Sequence, residues 1–247
     1  MPGMFIAMIV FASWANEHDY WLAPNKFFYS IREVAVVSVQ SGDRFTVSQR
    51  ETDNRIRGRF LHYKPSGDIN NLHELISENA DTAQVPLKEE GTHMIVFNSN
   101  RNEMQPEAAE PFQLCSKTIF QSGGQAKLGN ACTMPTDLPL DIIPSENPYA
   151  LPDPGFKTGS IKVRFRVLFK REPVQNAWVK VWHFVKGKGI QADSALTNNR
   201  GYIVTGRHPG PNLVTCEYRE TTADGTQNFR GSLSFDYSQF FPRKSNP

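Results

Sequence analysis

Ile161-Lys162-Val163-Arg164-Phe165-Arg166-Val167-Leu168-Phe169 is the stretch that decides the fold: Ile161, Val163, Phe165, Val167 and Phe169 fall at every second position, with Lys162, Arg164 and Arg166 between them. A period of two is the mark of a strand with one buried face, whereas a helix repeats every three to four residues. Toward the C-terminus the pattern recurs in Trp178–Phe184, Ile190–Leu196, Tyr202–Thr205, Asn212–Tyr218 and Phe229–Tyr237, separated by Pro173, Gly187, Asn199-Arg200-Gly201, Pro209-Gly210-Pro211 and Asp224-Gly225. About six or seven short strands in roughly 80 residues predict an immunoglobulin-like β-sandwich over 160–247.

Toward the N-terminus the pattern stops at Pro148–Gly159, where Pro148, Pro152, Pro154 and Gly155 crowd together. This reads as a linker, 148–159, joining the sandwich to an N-terminal β-rich domain over 16–147. In that domain Glu33–Gln49 predicts strand, turn and strand, with the turn at Ser41-Gly42-Asp43, and Arg55–Tyr63 and Thr92–Phe97 predict two more strands. Leu72–Ile76 reads as one helical turn. Phe112, Cys115 and Ile119 lie at helical spacing, so a short helix is expected within Glu107–Phe120. The fold class is thus all-β, two β-sandwich domains.

The chain has 247 residues, 27 basic and 25 acidic, for a net charge of +2, which excludes the electrostatic footprint of a nucleic-acid binder. Met4–Ala12, MFIAMIVFA, is too short to span a bilayer, which takes about 20 residues. It suits the apolar region of a secretory signal peptide over 1–15, with Ser13 and Ala15 as the small residues before a cut ahead of Asn16. A misassigned start or a buried first strand is the alternative. Periplasmic or otherwise exported location follows from the signal, with no transmembrane segment in the mature chain.

Export favours a disulfide between Cys115 and Cys132, closed across Ser122-Gly123-Gly124 and worth about 3 kcal/mol, with Cys216 a buried thiol. Three buried thiols is the alternative, since an odd count always leaves one unpaired.

Phosphate loops, nucleophile elbows and zinc-protease helices are all lacking, and the carboxylates Glu89, Glu90, Asp141 and Glu146 read as solvated turn residues, so no enzyme is expected. Trp178 and Trp182 share one strand face and form a sugar-stacking platform if exposed, a core pair if not. Of the six histidines, His18 stands apart because of processing. A cut after Ala15 leaves Asn16-Glu17-His18 at the N-terminus, so the free amine, two deprotonated amides and the imidazole supply four nitrogens in a plane, a set suited to Ni(II) or Cu(II).

Four blocks resemble one family of exported proteins. They are His18-Asp19-Tyr20-Trp21-Leu22-Ala23-Pro24, Leu140-Asp141-Ile142-Ile143-Pro144-Ser145-Glu146-Asn147-Pro148-Tyr149, Val167–Val179 with its turn Pro173, and Gly231-Ser232-Leu233-Ser234-Phe235-Asp236-Tyr237. In order and spacing they resemble the NikM-like family of periplasmic proteins, labelled as nickel or cobalt transport components. The resemblance implies a two-domain β protein whose second domain is similar to carboxypeptidase-regulatory-like sandwiches. It also implies a role in uptake of Ni(II) or Co(II) beside a membrane uptake system, and it carries over His18 and, more weakly, Asp19. The expected metal set is therefore Asn16, Glu17, His18 and Asp19. The competing reading is a module that binds a protein or glycan and no metal.

Overall fold

The computed structural model describes residues 19–43, 45–47, 57–76, 81–99, 111–124, 129–149, 162–223 and 225–237. The first half contributes β1 (Asp19–Pro24), β2 (Phe28–Tyr29), β3 (Val34–Asp43), β4 (Thr46–Val47), β5 (Gly58–Tyr63), β6 (Ile69–Asn71), β7 (Thr82–Pro86), β8 (Gly91–Ser99), β9 (Phe112–Ser122) and β10 (Leu140–Pro144). The second contributes β11 (Lys162–Phe169), β12 (Glu172–Pro173), β13 (Trp178–Val185), β14 (Gly189–Leu196), β15 (Tyr202–Gly206), β16 (Pro211–Thr222) and β17 (Gly225–Asp236). The fold is all-β: the only helical elements among the described residues are two 3-10 turns, His73–Leu75 and Ala131–Thr133, the first inside the expected Leu72–Ile76. No helix there is long and apolar enough to cross a membrane.

Three sheets stack as layers. The central one runs β14-β13-β16-β17-β9-β8-β5-β6, with β2 added alongside β9. On one face lies the sheet of β1, β3, β4 and β7, and on the other the sheet of β10, β11, β12 and β15. Strand alternation divides the side chains of the central sheet between two cores. Phe112, Leu114 and Phe120 meet Leu22, Ala35 and Val37 on the first face, while Cys115, Ile119, Leu233 and Phe235 meet Leu140, Val163 and Phe165 on the second. The protein is thus two β-sandwiches built on one shared sheet.

The expected linker 148–159 is described only at Pro148 and Tyr149. The strands that flank it, β10 and β11, are antiparallel neighbours in one sheet, Leu140 opposite Phe169. The halves are joined again where β17 runs parallel to β9, from Asn228 opposite Phe112 to Ser234 opposite Thr118.

Three local expectations are corrected. The helix expected within Glu107–Phe120 is β9 over its described part, every residue of which is buried. A strand covered on both faces has apolar residues on both, so its period of two is hidden and a chance 3-4 spacing shows through. The turn expected at Ser41-Gly42-Asp43 is strand, with Gly42 opposite Val47, and the chain reverses after Asp43.

The third correction is the disulfide: Cys115, Cys132 and Cys216 are all free and buried. Extended β9 carries the chain about 23 Å past Cys115 before Gly123 can turn it, and Cys132 then lies in the second 3-10 turn as a buried, unbridged thiol. Cys216 lies beyond Gly231 from Cys115 in the sheet, two strand spacings or roughly 10 Å away, too far for a bridge. Burial pushes all three thiols up to about 12.

Candidate metal centre

Register in the central sheet assembles a cluster from three separate elements. β13 carries His183, and β14 returns antiparallel so that Asp193 stands opposite Val181, two residues before His183. The connection from β15 to β16 brings His208 over both. Asn212, opposite His183 on β16, ties that connection down by donating from Nδ2 to the carbonyls of His208 at 2.9 Å and Gly210 at 2.7 Å.

The candidate ligand atoms of His183, Asp193 and His208 all lie within 4.8 Å of one another. His208 Nε2 meets Asp193 Oδ2 at 2.8 Å, and Thr205 Oγ1 donates to the same oxygen at 3.2 Å. His183 Nδ1–H donates to Val181 O at 3.2 Å, which leaves the Nε2 lone pair for a ligand. His183 is 3% exposed, and the Asp193 carboxylate reaches solvent. The site is closed behind and open in front.

Burial, then neighbouring His208, hold His183 below its ordinary value, so at neutral pH it is an uncharged imidazole able to donate a lone pair. Burial acts to raise Asp193, but the hydrogen bonds from His208 and Thr205 outweigh it and the carboxyl stays below its usual range. Two imidazoles and one carboxylate suit late first-row divalent ions.

The rings stack, with centroids 3.4 Å apart and planes 6° apart, so their lone pairs lie in parallel planes and do not yet converge. His183 is pinned from behind and His208 sits on a connection, so His208 is the ring that must turn. Gly206 helps, because a side chain there would begin 3.3 Å from His208 Nε2.

Of the metal residues expected from sequence, Asn16, Glu17 and His18 lie outside the described residues. Asp19 opens β1 beside Lys180, Arg230 and Trp182; burial raises its carboxyl against the pull of the two cations. Those neighbours compensate its charge. Lys180 and His183 face opposite sides of β13, so Asp19 and the histidine cluster cannot serve one ion.

His62 and His93 are brought together but spent on each other. His62 Nε2 and His93 Nδ1 are 2.9 Å apart, and His93 Nε2 meets Ser122 Oγ at 2.9 Å and Glu89 O at 3.0 Å. They border a cavity of about 210 Å³ with Lys64, Leu72, Val85 and Lys88. Glu89 bonds Lys64 and Ser66, Glu90 bonds the Gly124 N–H, and Glu146 is exposed. Asp141 departs from its solvated reading and is buried.

The histidine cluster escapes a sequence reading because its members are ten and fifteen residues apart and share no motif. The antiparallel pairing of Trp178–Phe184 with Ile190–Leu196 is the one signal that places the first two side by side.

Among solved structures the chain is similar to a Salmonella alpha-2-macroglobulin reacted with methylamine, at 10% identity and a TM-score of 0.26 over 90% of this chain, and it spans only 15% of that protein's length. It is also similar to the D0-D1 domain of intimin, at 13% identity and a TM-score of 0.22 over 87% of this chain and 97% of that one. A third is the Yersinia pseudotuberculosis adhesin InvE, at 12% identity and a TM-score of 0.22 over 87% of this chain and 58% of that one. No protein of curated function matches the chain in sequence. The family model described as Domain of unknown function (DUF4198) matches residues 15–220, and the chain belongs to that family.

Proposed function

We propose that the protein is an exported metal-binding accessory, without enzymatic activity, that holds a divalent ion of the nickel or cobalt type for an uptake system in the periplasm. The observation that carries this reading is the clustering of His183, Asp193 and His208 with candidate ligand atoms within 4.8 Å of one another, a donor set matched to such ions, with one imidazole buried and tautomer-fixed. The apolar leader Met4–Ala12 and the NikM-like block from His18 to Pro24 support export and the choice of cargo. The cluster would hold the ion through His183 Nε2, an Asp193 oxygen and His208, with remaining positions open to solvent or to a receiving protein.

Equilibrium dialysis against Ni(II), Co(II), Cu(II) and Zn(II) tests the reading. The mature protein should bind at least one equivalent that His183→Ala with His208→Ala loses, while His18→Ala removes only a planar Ni(II) or Cu(II) absorption band at the N-terminus. Unchanged stoichiometry in the His183, His208 double variant overturns the cluster as a site. Affinity should rise with pH, because protons compete with the ion for nitrogen and oxygen donors.

A second reading has its own observation. Trp178, Phe184 and Leu196 are 42%, 56% and 54% exposed on the open face of β13 and β14, with Trp182 half-buried between the first two. Such a face suits stacking on a sugar ring. Glycan-array binding lost in Trp178→Ala, with no metal bound by the wild type, would favour it.

A further inference from the structure

We propose that Lys117 and Asp141 condense to an intramolecular isopeptide bond that staples the central sheet to the sheet of β10. Lys117 lies at the middle of β9, where the sheet surrounds it with apolar neighbours: Cys115 and Ile119 two residues to either side along the strand, Val96 and Leu233 directly across from it. All are buried, and Lys117 itself is 0% exposed.

Asp141 reaches it from β10 in the facing layer, and Nζ touches Oδ1. Beyond each other, neither of those two atoms has a hydrogen-bond partner among the described residues. An ion pair enclosed in an apolar core, with no further hydrogen bond to the ammonium, is costly. Condensation removes both charges.

The surroundings supply what the step needs. Asp141 Oδ2 accepts from the Thr136 N–H at 2.7 Å and from Thr136 Oγ1 at 3.0 Å, so the carboxyl is pinned with one oxygen held and the other turned to the amine. One proton passes from Nζ to Oδ1, which turns the ion pair into an amine facing a carboxylic acid. The freed lone pair adds to Cγ, a C–N bond forms, and the charge that develops on Oδ2 is held by the two Thr136 donors. A second proton moves from nitrogen to Oδ1, the C–Oδ1 bond breaks, and one water leaves. Nζ keeps one hydrogen as an amide, and nothing is oxidised or reduced. Enclosure in the folded protein supplies the proximity that makes amide formation favourable without activation.

The test is a peptide map of the full-length protein, unfolded, digested with trypsin and read by mass spectrometry. The expected result is one branched peptide that joins the Lys117 and Asp141 segments, lighter by one water than their sum, with no cleavage after Lys117. Lys117→Arg and Asp141→Ala should each abolish the branched species. Asp141→Asn should restore it by loss of ammonia in place of water. Recovery of the two wild-type segments as separate peptides, with cleavage after Lys117, overturns the bond. The wild-type map decides the question even where a variant fails to fold.

Discussion

His62 and His93 show how two histidines 31 residues apart come to act as one group. The proton pattern is set from the far end. Ser122 Oγ–H donates to Glu89 O, so Ser122 accepts from His93 Nε2–H, His93 Nδ1 accepts from His62 Nε2–H, and both rings are neutral. Burial, then the neighbouring His93, push His62 down to about 3, and burial lowers His93. Both values lie below that of an unfolded histidine near 6.5, so between these limits the unfolded chain binds more protons than the folded one. Stability therefore falls as pH drops below about 6.5, by up to about 1.4 kcal/mol per pH unit for each such proton. Urea midpoints measured from pH 7 to pH 5, above the range where carboxylates titrate, should fall for the wild type and stay flatter for His62→Gln. Equal slopes would show that the pair is not what resists protonation.

Strand elements were legible wherever one face meets solvent. β11, β13 and β14 fall on their expected stretches because polar and apolar residues alternate along them. β9 was not legible, since both its faces are core and its polar residues are inside. Ser116, Thr118, Ser232 and Ser234 form a buried patch on one face of β9 and β17, although alternation reads them as a solvated face. Their role follows from β1, which pairs with β3 along one edge and lies with its other edge over this patch. Leu22 N–H donates to Ser116 Oγ at 2.9 Å, and Ser234 Oγ donates to Leu22 O at 2.6 Å and lies 2.7 Å from Thr118 Oγ1. The hydroxyls stand in for a neighbouring strand. Ser234→Ala leaves Leu22 O unpaired in the interior and should lower stability by about 1–3 kcal/mol in denaturant unfolding. Serine-to-alanine replacement at exposed Ser194 on β14 should change it by less than about 0.5 kcal/mol. The histidine cluster belongs to the same lesson, because strand register alone brings its members together and no local spacing betrays them. The thiols follow suit: non-reducing maps should recover Cys115, Cys132 and Cys216 as three separate peptides, alkylated only once the protein is unfolded. Any bridged pair would contradict their placement.

At the scale of the whole molecule, the proline-rich break at 148–159 and the return of alternation at Ile161 suggest two bodies, because sequence composition reports local chain direction and not which strands share a sheet. The sheets cross that break twice. β11 is paired along one edge by β10 and along the other by β15, and β17 is paired by β16 and β9. A fragment from Ser160 to Pro247 therefore loses β10 and β9 together. It exposes one edge of each of its two main strands and strips Leu140, Ile142 and Ile119 from the core around Phe165, Leu233 and Phe235. Unpaired edges beside an uncovered apolar face favour aggregation over folding. The fragment should be unfolded or aggregated by circular dichroism and size exclusion, and the full-length protein should unfold in a single calorimetric transition whose van't Hoff and calorimetric enthalpies agree. Two resolved transitions, or a folded monomeric fragment, would mean that the shared sheet does not couple the halves. A cut within 148–159 by limited proteolysis is compatible with the shared sheet, since β10 and β11 stay hydrogen-bonded after the connection is severed, and the nicked protein should then elute as one species until denaturant is added.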